Sequence, residues 1–355
     1  MQRTMRRILV TGGAGFIGSN LVRMLLSERD DVEVVNLDLL TYAGNLANLG
    51  DVERDPRYTF IRGDICDPDT VRGALEGVTA VMHLAAETHV DRSIQGGAPF
   101  VRTNVLGTHA LLAAALESGV ERFLHCSTDE VYGELPWRDP AAPGDRERFT
   151  EDTPLEPSSP YSAAKAGADH LALAFQRTFG LDVVVTRCSN NYGPYQFPEK
   201  LVPLCVTNAL EDRLIPVYGD GLNVRDWIHV DDHCRGMLAA LECGRAGRVY
   251  NFGGDAERTN LQVVGGILAA LGKGGEAIKF VRDRPGHDRR YAVDSSRAQA
   301  ELGWLPKVSF EQGLDATVAW YRSHTEWWGS VKTGDYRRYY DQQYGGLVSA
   351  APRAV

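Results

Sequence analysis

Tyr161-Ser162-Ala163-Ala164-Lys165 sets a phenol and an ammonium four residues apart, behind Pro160, which is a helix-start signal. On a helix that spacing puts both groups on one face, one turn apart. A phenol titrating near 10 is a poor base at neutral pH. Lowering it by ~3 units takes about 4 kcal/mol of preferential phenolate stabilisation, which neighbouring cations can supply. Tyr161 could then accept a proton from an alcohol, although the same spacing also suits an exposed pair on a surface helix. Thirty-odd residues earlier, Cys126-Ser127-Thr128-Asp129-Glu130-Val131-Tyr132-Gly133 follows an apolar run and presents a hydroxyl and two adjacent acids. Such a pair can divide general acid from general base work if its surroundings separate the two pKa values. The plainer alternative is a solvated loop with helix-capping residues.

A second constellation stands at the amino end. Gly12, Gly15 and Gly18 punctuate Thr11-Gly12-Gly13-Ala14-Gly15-Phe16-Ile17-Gly18, between a predicted strand and a predicted helix, and Asp38 follows about twenty residues on. This is the context in which glycines let the backbone approach a pyrophosphate at a helix N-terminus while a carboxylate binds the ribose hydroxyls. Asp38 would repel a 2′-phosphate and no Arg follows in Leu39-Leu40-Thr41-Tyr42, so NAD is expected rather than NADP. Its nicotinamide cation would join Lys165 in stabilising the phenolate. Asp64-Ile65 and Leu84-Ala85-Ala86, each behind a predicted strand, are further candidates to border the cofactor, and a strand-end turn is the alternative for Asp64.

The elements that must position these groups alternate. Ile8–Val10, Val32–Val35, Tyr58–Ile61, Ala80–Leu84, Phe123–Cys126 and Val183–Thr186 read as strands, mostly separated by helical stretches such as Phe16–Leu26. Hairpins cannot join strands spaced that way, so the fold class is α/β, a doubly wound (Rossmann) parallel sheet with a smaller C-terminal α/β substrate-binding lobe. Residues 1–190 are assigned to the NAD-binding domain carrying the catalytic residues. Residues 191–344 are assigned mainly to the sugar-nucleotide-binding lobe, with some elements returning to the core, and 345–355 to a disordered tail. Pro136–Pro160, rich in Pro, Asp and Glu, reads as a surface loop.

In a chain of 355 residues, 43% hydrophobic and 24% charged content fits a globular protein, and no apolar run approaches the ~20 residues of a membrane span. A net charge of −9, with the two signs mixed along the chain, argues against a nucleic-acid or anionic-membrane footprint. The apolar stretch behind Arg3, Arg6 and Arg7 is too short for a signal peptide. Cys66, Cys126, Cys188, Cys205, Cys234 and Cys243 lie far apart without CxxC spacing, so core thiols are expected rather than disulfides or a metal site, in a cytoplasmic protein.

With these motifs assembled, the chain resembles the extended short-chain dehydrogenase/reductases that act on nucleotide sugars, and within them the dTDP-glucose 4,6-dehydratases. The resemblance covers nearly the whole chain. It rests on the glycine turn, Ala85–Ser93, Ser127–Gly133, Tyr161 with Lys165, Cys188–Pro194, Arg225-Asp226-Trp227 and Arg284–Asp288. It implies that Tyr161 is the base for oxidation at C4, Asp129 the acid for the C6 hydroxyl and Glu130 the base at C5, with Lys165 and Thr128 beside them. It places Thr103 and Asn191 at the NAD, together with Gly12, Gly15, Phe16, Ile17, Gly18, Asp38, Thr41, Asp64, Ile65, Leu84, Ala85, Ala86, Tyr161 and Lys165. It also implies that Thr88 and Thr128 touch the sugar, and that Asn190, Glu199, Lys200, Leu201, Pro216, Tyr218, Arg225, Asn260, Arg284 and His287 hold the rest of dTDP-glucose. Arg suits a diphosphate because its planar fork donates two parallel hydrogen bonds, but Arg225 suits a structural salt bridge as well. A homodimer formed through the helices around 103–116 and 161–179 is implied, although their apolar positions would also suit a plain core.

The rivals differ at a few positions. Related 4-epimerases typically carry small residues at the positions of Asp129 and Glu130, related decarboxylases usually lack the first acid, and CDP-glucose dehydratases tend to carry Lys where Glu130 stands. A catalytically silent NAD-binding regulator would keep the glycine turn but lose Tyr161, Lys165 or the acids. No residue distinguishes thymine from uracil, so a UDP-glucose dehydratase stays open.

Overall fold

The computed structural model describes residues 5–142 and 147–344. The tail expected over 345–355 lies outside them, as do residues 143–146 of the expected loop. The chain opens with β1 (Arg7–Thr11), α1 (Phe16–Glu28), β2 (Glu33–Asp38), β3 (Tyr58–Arg62), α2 (Pro68–Ala74), β4 (Ala80–His83), α3 (Val90–Gln95) and α4 (Ala98–Phe100). A π-helical turn over Val101–Gly107 leads into α5 (Thr108–Glu117), followed by β5 (Arg122–Thr128), α6 (Pro160–Phe179) and β6 (Val183–Cys188). Beyond these come β7 (Asn190–Tyr192), α7 (Leu201–Leu210), β8 (Ile215–Tyr218), β9 (Val224–His229), α8 (Val230–Cys243), β10 (Val249–Phe252) and β11 (Glu257–Thr259). The chain continues through α9 (Asn260–Ala270), β12 (Ile278–Val281), α10 (Ser296–Leu302), α11 (Phe310–Ser323), α12 (Thr325–Val331) and α13 (Asp335–Tyr344).

Seven strands form one parallel sheet in the order β10-β6-β5-β4-β1-β2-β3. Successive side chains point to opposite faces, so each strand feeds two cores. Ile8, Val10, Met82, Leu124 and Val184 pack under α1 and α8, whereas Leu9, Val81, Phe123, Val183 and Val185 pack under α2, α5 and α6. The six expected strands are all present. The seventh, β10, comes from the stretch read as the lobe. Its four residues pair with β6, Val249 lying opposite Val185 from 64 residues earlier, a non-local choice that local pattern does not encode.

The smaller lobe holds a three-stranded sheet, β11-β9-β7, and the pair β12-β8, around a core that includes Tyr192, Val264 and Leu314. In it Arg290 Nε donates to Glu257 Oε2 at 2.8 Å, each residue only 1–2% exposed. Arg290→Met takes the 2.8 Å partner from a buried carboxylate that otherwise faces Arg148 Nε at 4.0 Å, so it is expected to cost about 3 kcal/mol of unfolding free energy, read by denaturant titration.

The described residues of the stretch 136–160 are more anchored than its composition predicts. Phe149 is 4% exposed, its amide donates to Ala292 O at 2.9 Å, and its ring stacks on Tyr132 at 5.0 Å. One buried aromatic without periodic company carries too little sequence signal to show this. The loop ends at Ser159, which caps α6 in a reciprocal capping box with Ser162, and Pro160 takes the first helical position. Gly180, at φ +74°, closes the same helix. Its start is therefore fixed one residue before Tyr161.

Candidate active site

A cavity of about 770 Å³ opens at the carboxyl ends of the central strands. Its amino-terminal wall is the glycine turn. Gly12 has φ +72°, and a Cβ there would sit 2.7 Å from the Ala85 amide, while a Cβ on Gly18 would sit 2.2 Å from Gly12 O. Only glycine permits this close approach of turn, helix and strand end. Gly15 caps α1 without a side-chain hydrogen bond, so its first amides face the cavity without a protein side-chain cap. Asp38, at the end of β2, accepts from the amides of Ala14 (3.0 Å) and Leu40 (2.8 Å), and burial raises its pKa against the pull of those two bonds. Arg102, which also lines the cavity, is engaged by Asp64 at 2.8 Å. A glycine cradle, an open helix N-terminus and a carboxylate beyond them fit a dinucleotide without a 2′-phosphate.

The catalytic candidates meet on the opposite wall. Thr128, Asp129, Glu130, Tyr161 and Lys165 all line the cavity. Thr128 ends β5 and caps the short 3₁₀ turn Asp129–Tyr132, accepting from the Glu130 amide at 3.3 Å and donating to Asp129 Oδ1 at 3.3 Å. The Tyr161 hydroxyl bonds to the Thr128 side chain, and Lys165 Nζ donates to Cys126 O at 2.7 Å. Tyr161 and Lys165 lie in the first two turns of α6, so the capping box that starts the helix sets their height against β5.

The electrostatics separate the two acids. Burial, then the charges of Glu130 and Asp226, push the Asp129 carboxyl well above the usual range, and its Oδ2 is buried without a hydrogen-bond partner among the described residues. Burial also raises Glu130, but Arg284, Lys200 and Arg225 oppose that rise with three positive charges. Asp129 therefore favours its protonated form and Glu130 is the better carboxylate. For Tyr161 the sequence predicts a lowered phenol. The protein alone does the reverse, because burial and then the charge of Glu130 push the phenol well above its ordinary value. Lys165, whose ammonium donates to the Cys126 carbonyl, does not offset that rise by itself.

All the residues expected around the cofactor line this cavity, from Gly12, Gly15, Phe16, Ile17 and Gly18 through Asp38, Thr41, Asp64, Ile65, Leu84, Ala85 and Ala86 to Thr103 and Asn191. So do Thr88, Asn190, Glu199 and Lys200; Glu199 is pushed up to about 7, chiefly by burial, and Lys200 Nζ donates to Thr88 O at 2.9 Å. Leu201, Pro216, Tyr218, Arg225, Asn260, Arg284 and His287 do not line it. Leu201 and Asn260 begin α7 and α9, and Pro216 sits within β8. Arg225 donates to Val224 O (2.7 Å) and Asp288 O (2.8 Å) and lies 4.3 Å over the Tyr291 ring. His287 pairs with Asp283 at 2.6 Å. Asp91 holds both Arg284 (2.9 Å) and the Tyr218 hydroxyl (3.0 Å), and Tyr339 of α13 adds a third donor at 3.3 Å.

Sequence reasoning left out several of the groups on these walls. Glu87, Cys126, Cys188, Ser189 and Gln196 face the cavity, and Asp91 joins α3 to the smaller lobe. Glu87 and Asp91 stand within the 85–93 motif, where adjacency to Thr88 was the available signal; Gln196 carried none.

Comparison with known proteins bears on this site. The GDP-mannose 4,6 dehydratase family model matches residues 9–317. A dTDP-glucose 4,6-dehydratase of Actinoplanes sp. is 53% identical over 327 residues, 91% of this chain and 99% of the relative. Among solved structures, DesIV, the dTDP-glucose 4,6-dehydratase of Streptomyces venezuelae with NAD and TYD bound, superposes with a TM-score of 0.88 at 52% identity, covering 92% of this chain and all of that one (100%). The UDP-glucose 4-epimerase of Thermotoga maritima, solved with UDP-glucose, gives a TM-score of 0.81 at 32% identity, covering 90% and 99% of the two chains. Fold alone is shared by both activities, whereas identity over the full length favours the dehydratases, and the chain belongs to the nucleotide-sugar 4,6-dehydratase family that includes the dTDP-glucose 4,6-dehydratases.

Proposed function

We propose that this protein is an NAD-dependent hydro-lyase that converts dTDP-glucose to dTDP-4-keto-6-deoxyglucose. The observation that carries the reading is the buried acid pair beside Tyr161, with Asp129 biased toward the acid and Glu130 compensated by three cations. An epimerase, which returns hydrogen to C4, has no use for two such groups. A silent binder has no use for Tyr161 and Lys165 on the cavity wall. Thymidine is favoured over uridine by the relatives, whose names specify dTDP-glucose.

Tyr161, as phenolate, takes the proton of the C4 hydroxyl, and Thr128 holds its oxygen in place. NAD, when bound, supplies the hydride acceptor for C4 and the donor that completes C6. Once C4 is a ketone the C5 proton is acidic, and Glu130 removes it. Asp129 delivers its proton to the C6 hydroxyl, which departs as water. As C6 is reduced, Glu130 returns a proton, exchanged with solvent, to C5; Tyr161 then releases the proton of the C4 hydroxyl and Asp129 regains one, so the net change is the loss of one water.

The test is proton NMR of the protein with NAD and dTDP-glucose in deuterated water. A new C6 methyl signal with deuterium at C5 is expected; C4 epimerisation, or an unchanged sugar, would sink the reading. UDP-glucose in the same assay ranks the bases.

Pairing as a homodimer is part of this proposal. Val101 and Leu106 on the π turn and Phe179 at the end of α6 are 51%, 59% and 56% exposed, an apolar surface that a second copy would cover. A solution mass of twice the chain is expected. Action in the cytoplasm is supported by all six cysteines being free thiols. No helix among the described residues is long and apolar enough to cross a membrane.

A further inference from the structure

One face of the central sheet carries polar groups where the strands on either side bury Val, Leu and Phe. Thr11, His83 and His125 occupy matching register positions on β1, β4 and β5, and all three are buried beneath α5 and α6. His83 is bonded on both ring nitrogens, to Thr11 Oγ1 at 2.7 Å and Thr108 Oγ1 at 2.9 Å, and burial pushes its pKa well down. It is a neutral, fully satisfied spacer. His125 is different. Its Nε2 lies 3.3 Å from Asp169 Oδ1, and Asp169 Oδ2 accepts from Arg187 Nε at 2.8 Å. Asp169, His125 and Arg187 are 0–3% exposed, so this group is out of reach of solvent screening.

Asp169 stands one turn beyond Lys165 on α6, a spacing that puts the carboxylate and the ammonium on one face of the helix. Around Lys165 the other groups are Tyr161 on α6, Cys126 and His125 on β5, Cys188 and Arg187 on β6, His83 on β4, and Glu130 beyond Tyr161. Both thiols donate to Ser127 O, Cys188 at 3.5 Å and Cys126 at 4.0 Å, and both histidines are held neutral by burial. Asp169 is thus the buried carboxylate shared between two cations, Arg187 by direct contact and Lys165 one turn away.

We propose that Asp169, fixed between Arg187 and His125 beneath the catalytic helix, is a positioning residue that keeps Lys165 charged and thereby sets the pH window in which Tyr161 works. The sign follows from charge. Taking away the carboxylate adds one net positive charge to a buried cluster, which favours deprotonated Lys165 and ionised Tyr161 alike. Both titrations then move to lower pH. Taking away Arg187 moves both to higher pH, and taking away both charges together nearly cancels.

The chain has six lysines, so protein labelled with [¹³Cε]lysine gives few enough resonances for Lys165 to be assigned by its loss in Lys165→Met. This readout needs neither cofactor nor substrate. In Asp169→Asn the Lys165 titration is expected about one to three pH units lower. In Arg187→Gln it is expected higher, and in Asp169→Asn/Arg187→Gln it returns to within about half a unit of wild type. The double variant removes both members of the Arg187–Asp169 ion pair and guards against a single variant that does not fold. A Lys165 titration that stays put in whichever of the single variants folds, or a double variant displaced as far as Asp169→Asn, overturns the proposal. The turnover profile, which does rest on the dehydratase reading, should shift both its acid and alkaline limbs in the same directions. A purely structural role would lower the height of that profile without moving it. If wild type lacks turnover while the lysine titrations shift, the activity reading fails and this one stands.

Discussion

Tyr161→Phe is expected to lower turnover of dTDP-glucose by about 10²- to 10⁴-fold with little change in NAD affinity. The phenol oxygen is the group poised to take a proton at C4, and its partner in the protein is the Thr128 side chain. The ring itself packs edge-on against Phe100 at 6.3 Å, a contact that phenylalanine keeps. Folding and the cofactor cradle, which lies across the cavity on the glycine turn, should therefore survive. The measurement is single-turnover formation of reduced cofactor, compared with the NAD dissociation constant of the same variant. Because the step affected is the first, no C5 exchange and no C6 methyl should appear faster than C4 oxidation allows. A variant that oxidises C4 at the wild-type rate would remove Tyr161 from the mechanism.

The second large effect divides the acid pair. Glu130→Gln and Asp129→Asn should each slow appearance of the C6 methyl by about 10²- to 10⁴-fold, but they should differ at C5. Without a carboxylate at 130 the C5 proton is retained, so the sugar is oxidised at C4 and stops there. Without the acid at 129 the C5 proton can still exchange with deuterium, because Glu130 remains, while the C6 hydroxyl has no proton with which to leave. NMR in deuterated water separates the two outcomes in one experiment. Wild-type pH dependence carries the same assignment. Asp129 has a raised pKa, so its acid form persists at low pH and is lost as pH rises through that value; Glu130 works in the opposite sense, and its base form is lost as pH falls. Equal C5 exchange in both variants would contradict the division. The stability consequences should also differ: Asn replaces a carboxyl already biased to neutrality, whereas Gln at 130 leaves Arg284, Lys200 and Arg225 facing a neutral amide.

The parallel sheet, the glycine turn and the helix bearing Tyr161 and Lys165 were legible in the sequence because each is encoded within one short stretch. Strand and helix alternate with distinct periods, Gly12, Gly15 and Gly18 mark one turn, and Ser159-Pro160 with Ser162 writes the start of α6 into four consecutive residues. The nearness of Thr128, Asp129 and Glu130 to Tyr161 was a reasonable expectation from topology, since both segments follow the same strand, β5, at the carboxyl end of the sheet. Tertiary structure alone decided the rest. The addition of β10 to the sheet, the anchoring of Phe149 on Tyr132, and the binding of Arg284 and Tyr218 by Asp91 all join segments far apart in the chain, where local pattern carries no information about the partner. The same holds for charge. Asp129 and Glu130 are neighbours with the same functional group, and only the cations brought to Glu130 from three other elements, against the burial of Asp129, give the two carboxyls different proton affinities.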